Sequence, residues 1–228
     1  LGKNRYSVPA IIHAMQNESL GNVDSTEYPS LPAASDGQTE VIVVGGGPSM
    51  DDHGGAVLDY AEQAGSTVVH ANYRHLQLIE RIGVKQFVAL AGDVVDRLPT
   101  ADKLAACDGF VVAAAPRIRA VPQEARDRTY QIDPFVAHGS ADHLGSVSDI
   151  GPLSLALGAA IALGASQVTL VGFDGYAHAT SAEQELAKES QNLLDDFRQR
   201  HPGIRLTSAT RTRYDVPVTS IYSRLARA

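Results

Sequence analysis

The chain has no tryptophan, two methionines and one cysteine among its 228 residues. A single thiol, Cys107, excludes an intrachain disulfide and a cysteine-rich metal site, and it fits a reducing compartment such as the cytoplasm. Cys107 reads as a buried filler rather than a nucleophile. Positive charge is in deficit: 19 Lys and Arg face 26 Asp and Glu, for a net charge of -7. That balance favours solubility and argues against nucleic acid as a partner, although a local arginine cluster can still meet a phosphate. Long hydrophobic runs are missing as well. No stretch approaches the ~20 apolar residues of a membrane span, so no membrane partner is expected. The opening Leu1 to Ser7 has neither the basic nor the apolar segment of a signal peptide. Such a start reads as the interior of a longer polypeptide or a trimmed terminus.

What is present is ordinary globular material, 44% hydrophobic and 20% charged, enough at this length to bury roughly 70% of the unfolded surface around one principal core. Residues 8–19 read as a short helix, and the polar run with prolines and glycines that follows reads as a linker. From Glu40 onward, short β-rich runs alternate with helical ones. Strands are predicted at 40–44, 67–71, 86–90, 109–114, 167–172 and near 204–207, and helices at 52–64, 74–82, 150–164 and 182–200. Val41–Val44 is continuously apolar and Val168–Val171 is apolar but for Thr169, as suits strands buried on both faces. The expectation is an α/β, three-layer Rossmann-like domain with a mainly parallel sheet. Its organisation reads as a short N-terminal helix at 1–21, a linker at 22–39, and a nucleotide-binding domain at 40–228. The segment 115–149 shows no clean period and is expected to be a loop region or small subdomain.

The most informative stretch is Val41-Ile-Val-Val-Gly-Gly-Gly-Pro-Ser-Met-Asp-Asp52. Here a buried strand breaks into a phosphate-sized turn at a helix start. Gly45, Gly46 and Gly47 lack a Cβ, so the backbone is free to take positive φ and a ligand to approach the main-chain amides. Pro48 and Ser49 suit the cap and first turn of a helix, and Asp51 and Asp52 complement its dipole. The same residues also describe a bare structural turn. Familiar owners of such a loop fit poorly. A Walker loop needs Gly-Lys-Ser or Gly-Lys-Thr, which does not follow the glycines. A dinucleotide fingerprint needs a third glycine where Met50 stands and an acid where the second strand ends in His70-Ala71-Asn72. The Gly-x-Ser-x-Gly hydrolase elbow is also missing.

In an open α/β sheet, ligands sit beyond the carboxyl ends of the strands, so the residues there are the candidates. They include Gly45–Ser49, Asn72, Asp93 and the run Gly172-Phe-Asp-Gly-Tyr176. Asp174 is a carboxylate able to hold a hydroxyl, a ribose or Mg²⁺, or simply to cap a turn. His178 is placed to act as a general acid or base, or is a solvated loop histidine. Ser148 and Gly151 open an apolar helix and offer a second amino-terminal anion site. Arg117, Arg119, Arg126 and Arg128 are candidate anion clamps. His138, Asp142 and His143 are nitrogen and oxygen donors whose spacing matches no established metal motif, so no metal site is assigned.

Taken together, residues 44–50, Ala71-Asn72, and the run from Gly158 to Asp174 resemble one superfamily. It contains the family-42 sialyltransferases and the 6-hydroxymethylpterin pyrophosphokinase-like proteins, whose nucleotide-binding sheet opens with a Gly-x-Gly-Pro-Ser loop. The resemblance implies that Gly45, Gly47, Pro48 and Ser49 line nucleotide phosphates and that Asn72 contacts the nucleotide. It also implies that Ser148–Gly151 and Asp174 border the same pocket. Sialyltransferases place a long lid and a catalytic histidine after this aspartate, whereas here a predicted helix follows at 182. A second resemblance joins Gly2-Lys-Asn-Arg-Tyr6 and Gly172–Tyr176 to proteins similar to 4-hydroxy-2-oxovalerate aldolase that carry a C-terminal Gly-x-Gly-Pro-Ser domain. The expected function is a nucleotide-binding, transferase-like domain. It would take a nucleotide of unspecified base or a nucleotide-sugar, with room for Mg²⁺. The alternative is a non-catalytic binding or homo-oligomerisation module beside an aldolase-like domain.

Overall fold

The structure is a computed structural model that describes residues 28–33, 39–71, 74–75, 78, 83–91, 107–113, 123–137, 151–176 and 180–227. Its elements are β1 (Thr39–Val44), α1 (Ser49–Ala64), β2 (Thr67–His70), β3 (Gln86–Ala89), β4 (Gly109–Ala113), α2 (Gln123–Arg126) and β5 (Thr129–Ile132). These are followed by α3 (Pro152–Ala162), β6 (Ala165–Val171), α4 (Ser181–Arg200), β7 (Arg205–Ser208) and α5 (Ile221–Leu225). The strands form one seven-stranded sheet in the order β5-β4-β3-β2-β1-β6-β7. Every neighbouring pair is parallel. This is the three-layer Rossmann-like α/β fold expected from the alternating pattern.

Strand alternation divides the core into two layers. Val41 and Val43 face one side, where they join α3 and the Leu194 and Phe197 pair of α4. Ile42 and Val44 face the other side, against Met50, Val57, Leu58 and Ala61 of α1 and Ile221 of α5. The middle of α3 is buried continuously from Ser154 to Ala160, so small residues are needed all round it. At Gly158 an added Cβ would lie 2.3 Å from the Asp133 carbonyl oxygen, which explains a glycine inside a helix. α4 is different in kind. It buries only Leu194 and Phe197, and a capping box between Thr180 and Glu183 fixes its start.

Several boundaries depart from the sequence expectation. α1 begins at Ser49, as the reading of Pro48 and Ser49 as cap and first turn expects and three residues before the span 52–64, and its first turn is held from another part of the chain. Residues 129–132, inside the segment with no clean period, form β5 at the sheet edge, where Tyr130 and Gln131 are half-exposed and blur the apolar run. Short helices α2 and α5 were also not anticipated. Within the expected linker, Tyr28 and Leu31 are buried and Ser30 bridges Gln131 of β5. The helix expected at 8–19 lies outside the described residues, as does most of that at 74–82.

Chain order also locates the ligand crevice. From β1 the chain steps outward through β2, β3, β4 and β5, then crosses to the other side of β1 to lay down β6 and β7. The reversal falls between β1 and β6, and the crevice at such a switch point opens beyond the carboxyl ends of those two strands. Residues 45–49 and 172–176 are the two segments that emerge there.

Candidate functional site

The two switch-point segments are laced together. The Gly45 amide donates to the Val171 carbonyl at 2.8 Å and the Gly47 amide to the Gly172 carbonyl at 2.8 Å, extending the β1–β6 ladder into the loops. Asp174 Oδ2 accepts from the Ser49 hydroxyl at 2.9 Å and from the Ser49 amide at 3.3 Å. Asp174 is thus the anion at the amino terminus of α1, beside Asp51 and Asp52 of its first turn.

This contact explains the glycines differently from the sequence expectation. None of Gly45, Gly46 and Gly47 has positive φ; the positive values here belong to Gly172 (φ 71) and Gly175 (φ 74). A Cβ at Gly47 would stand 1.8 Å from Asp174 Oδ2 and 2.5 Å from the Gly172 oxygen, and one at Gly45 would stand 2.5 Å from that same oxygen. The loop is glycine-rich so that the β6 turn can lie against it. Gly172 is held in turn by the Thr210 hydroxyl, which accepts from its amide at 3.0 Å, and the Thr212 hydroxyl donates to the Phe173 carbonyl at 2.6 Å.

From the β2 side, Arg74 Nη1 donates to the Gly46 carbonyl at 3.4 Å and His75 Nε2 to the Gly47 carbonyl at 3.2 Å. A carbonyl oxygen only accepts, so this His75 nitrogen carries a proton. The opposite nitrogen of His75 lies 3.5 Å from Asp51 Oδ1, and its side chain is 1% exposed. Neighbouring His70 is the buried end of β2, with Nε2 2.7 Å from Gln86 Oε1. Burial, opposed by that hydrogen bond and reinforced by His75, lowers its pKa to about 4. His70 is therefore a neutral core group and not part of the crevice.

Of the sequence-derived candidates, the structure brings Gly45, Gly46, Gly47, Pro48, Ser49 and Asp174 into one contact cluster. Gly151 is the N-cap of α3, exposed and with open space where a side chain would stand. Asn72, Asp93, Ser148 and His178 lie outside the described residues, as do Arg117, Arg119, His138, Asp142 and His143. Arg128 has a packing role: it donates to the Cys107 carbonyl at 2.6 Å and lies over Phe110. Sequence reasoning passed over Arg74, His75 and Thr210. The first two stood at the start of a predicted helix, and the residues after β7 were not examined as a strand end. Among the described residues, no group of three or more His, Cys, Asp and Glu is placed to hold a metal ion. No described helix is long and apolar enough to cross a membrane.

No family model matches the chain, and no curated protein matches it significantly. Among solved structures it resembles the MAf glycosyltransferase from Magnetospirillum magneticum AMB-1, with a TM-score of 0.55 and 16% identity. That match covers 92% of this chain but only 38% of the length of the glycosyltransferase. At this level of identity, the shared property is the α/β fold.

Proposed function

We propose that this chain is a nucleotide-binding, transferase-like domain that serves glycosyl transfer from a nucleotide-sugar to a small acceptor. The observation that carries the reading is the pairing of Asp174 with the Gly47–Ser49 turn at the β1/β6 switch point. A carboxylate at the mouth of that crevice suits the binding of a sugar or ribose hydroxyl. Only Oδ2 has partners among the described residues, which leaves Oδ1 for a ligand. Likeness of fold to a protein named as a glycosyltransferase adds support at the level of architecture. In such a reaction the acceptor oxygen bonds to the anomeric carbon while the carbon–oxygen bond to phosphate breaks, and the nucleotide leaves with the electron pair. Stabilising that departing charge with fixed donors would be the protein's main contribution. Asn72, Asp93, Ser148 and Gly151 are proposed to line the nucleotide, and His178 to take the acceptor proton.

A second reading is favoured by one specific observation: the amides of Gly45, Gly47 and Ser49 already donate within the protein. A loop so occupied suits a non-catalytic module, for which an aldolase-like neighbour is the proposed context. Calorimetry and thermal shift with CMP, CTP, ATP and CMP-sugars, with and without Mg²⁺, followed by assay for a glycosylated product, separate the two. Turnover supports the transferase. Saturable binding without turnover, abolished by Gly47→Val or Asn72→Ala, supports the module, and no binding to any of these ligands sinks both.

A further inference from the structure

The glycine loop is the obvious place for a phosphate, yet its donors are largely committed. Gly45 and Gly47 donate to the carbonyls of Val171 and Gly172, Ser49 donates twice to Asp174, and Pro48 has no N–H. The carboxylates of Asp51 and Asp52 stand in the same first turn and repel an incoming anion. A phosphate at this crevice therefore needs a cation from elsewhere.

One is stationed at Gly175, the residue that follows Asp174 in the chain. At Gly175 (φ 74), an added Cβ would stand 2.9 Å from Arg213 Cβ, 3.4 Å from its Cδ and 3.5 Å from its Cγ. The aliphatic stem of Arg213 thus lies along a backbone position where no side chain can stand. The second glycine of Gly172-Phe-Asp-Gly-Tyr176 is required both by its left-handed conformation and by this arginine. Thr212, next to Arg213, is tied to Phe173 by its hydroxyl, so the two turns are fastened at adjacent residues. Arg213 is exposed, and it forms no ion pair with a carboxylate among the described residues. By contrast Arg198, Arg200 and Arg224 each pair with an acid.

We infer that Arg213 is the anion-binding residue of the switch-point crevice, its guanidinium receiving the phosphate of a nucleotide or phosphorylated sugar that the glycine loop itself is too committed to hold. A planar guanidinium is the side chain best matched to two phosphate oxygens at once. The inference rests on the nucleotide reading of the same site, and it moves the charge contact from the β1 loop to the turn after β7.

The test is calorimetry on the full chain with CDP, inorganic pyrophosphate, a sugar 1-phosphate and uncharged cytidine, comparing wild type with Arg213→Gln and Arg213→Lys. Arg213→Gln is expected to weaken CDP binding roughly tenfold or more, with an unchanged unfolding temperature because the side chain is exposed. Arg213→Lys should recover part of the loss, and the salt dependence of CDP binding should fall in the Gln variant. Loss of pyrophosphate and CDP together identifies a nucleotide diphosphate contact; loss confined to the sugar 1-phosphate identifies a sugar phosphate. Cytidine should be unaffected. Equal affinity of wild type and Arg213→Gln for CDP, pyrophosphate and the sugar 1-phosphate alike overturns the assignment while leaving the nucleotide reading intact, as does an equal loss for cytidine and CDP. Failure of wild type to bind any of the four overturns both.

Discussion

Two carboxylates mark the opposite ends of the β1–β6 pair, and they are treated very differently. At the amino end, Glu40 Oε1 accepts from Gln167 Nε2 at 2.6 Å, from Arg224 Nη1 at 3.0 Å and from the Thr169 hydroxyl. Its Oε2 accepts from the Tyr60 hydroxyl at 2.7 Å and the Ser66 hydroxyl at 3.2 Å. Burial and the Glu40 charge raise the Tyr60 pKa, which keeps the phenol neutral and donating. At the carboxyl end, Asp174 has, among the described residues, Ser49 alone, on one of its two oxygens. A carboxylate whose acceptor sites are filled from five directions holds the fold, whereas one partnered on a single side has capacity left for a ligand. Glu40 and Arg224 are 13% and 11% exposed in their side chains and so pair largely out of water.

The sharpest way to break the comparison is to remove the saturated hub. Glu40→Ala leaves Arg224 buried without its partner and four neutral donors short of an acceptor. We expect a loss of about 3–5 kcal/mol in denaturant unfolding, with nucleotide affinity unchanged in whatever fraction remains folded. Next in size is an acid effect that must not be credited to either carboxylate. His70 has a pKa of about 4 against the usual 6.5, so the unfolded chain binds the extra proton first. Stability is then full above 6.5 and falls as pH drops from 6.5 toward 4, by on the order of 3 kcal/mol. Unfolding curves across that window should flatten in His70→Gln. Gly47→Ala forces apart the Gly172 carbonyl and the Asp174 carboxylate, and about 2 kcal/mol of stability should go with it. Smallest in stability is Asp174→Asn, expected to cost at most about 1 kcal/mol while calorimetry shows a clear loss of nucleotide-sugar binding. If Asp174→Asn instead destabilises as strongly as Glu40→Ala, the division of labour between the two ends fails.

Most of the sheet was legible because its strands are buried on both faces. Val41–Val44, Phe110–Ala113 and, apart from Thr169, Val168–Val171 could be read directly as apolar runs. β5 escaped because it lies at an edge, where half-exposed Tyr130 and Gln131 need not be apolar. The start of α1 was legible in Pro48 and Ser49, the cap and first residue of the helix, although the span 52–64 began late; the partner that fixes it, Asp174, is 125 residues away in sequence, and no local signal reports so distant a contact. For the same reason the glycine loop was expected to use positive φ and meet a ligand, when the shape of Gly45 and Gly47 answers first to the turn after β6. The motif Gly172–Tyr176 was legible as important, but its reliance on Thr210 and Arg213 was not. Those residues follow the last strand, and only the folded sheet brings β7 beside β6.

The Glu40 hub also orders events during synthesis. Its partners Gln167, Thr169 and Arg224 lie 127, 129 and 184 residues downstream. β1 leaves the ribosome before these partners, so β6 must be made before one flank is paired, and α5 before its buried charge is matched. Until then β1 has an open edge and an uncompensated acid, the state in which nascent sheets are most prone to mispair. The interior of this sheet at β1 is therefore begun before its β6 flank exists and completed only when α5 docks.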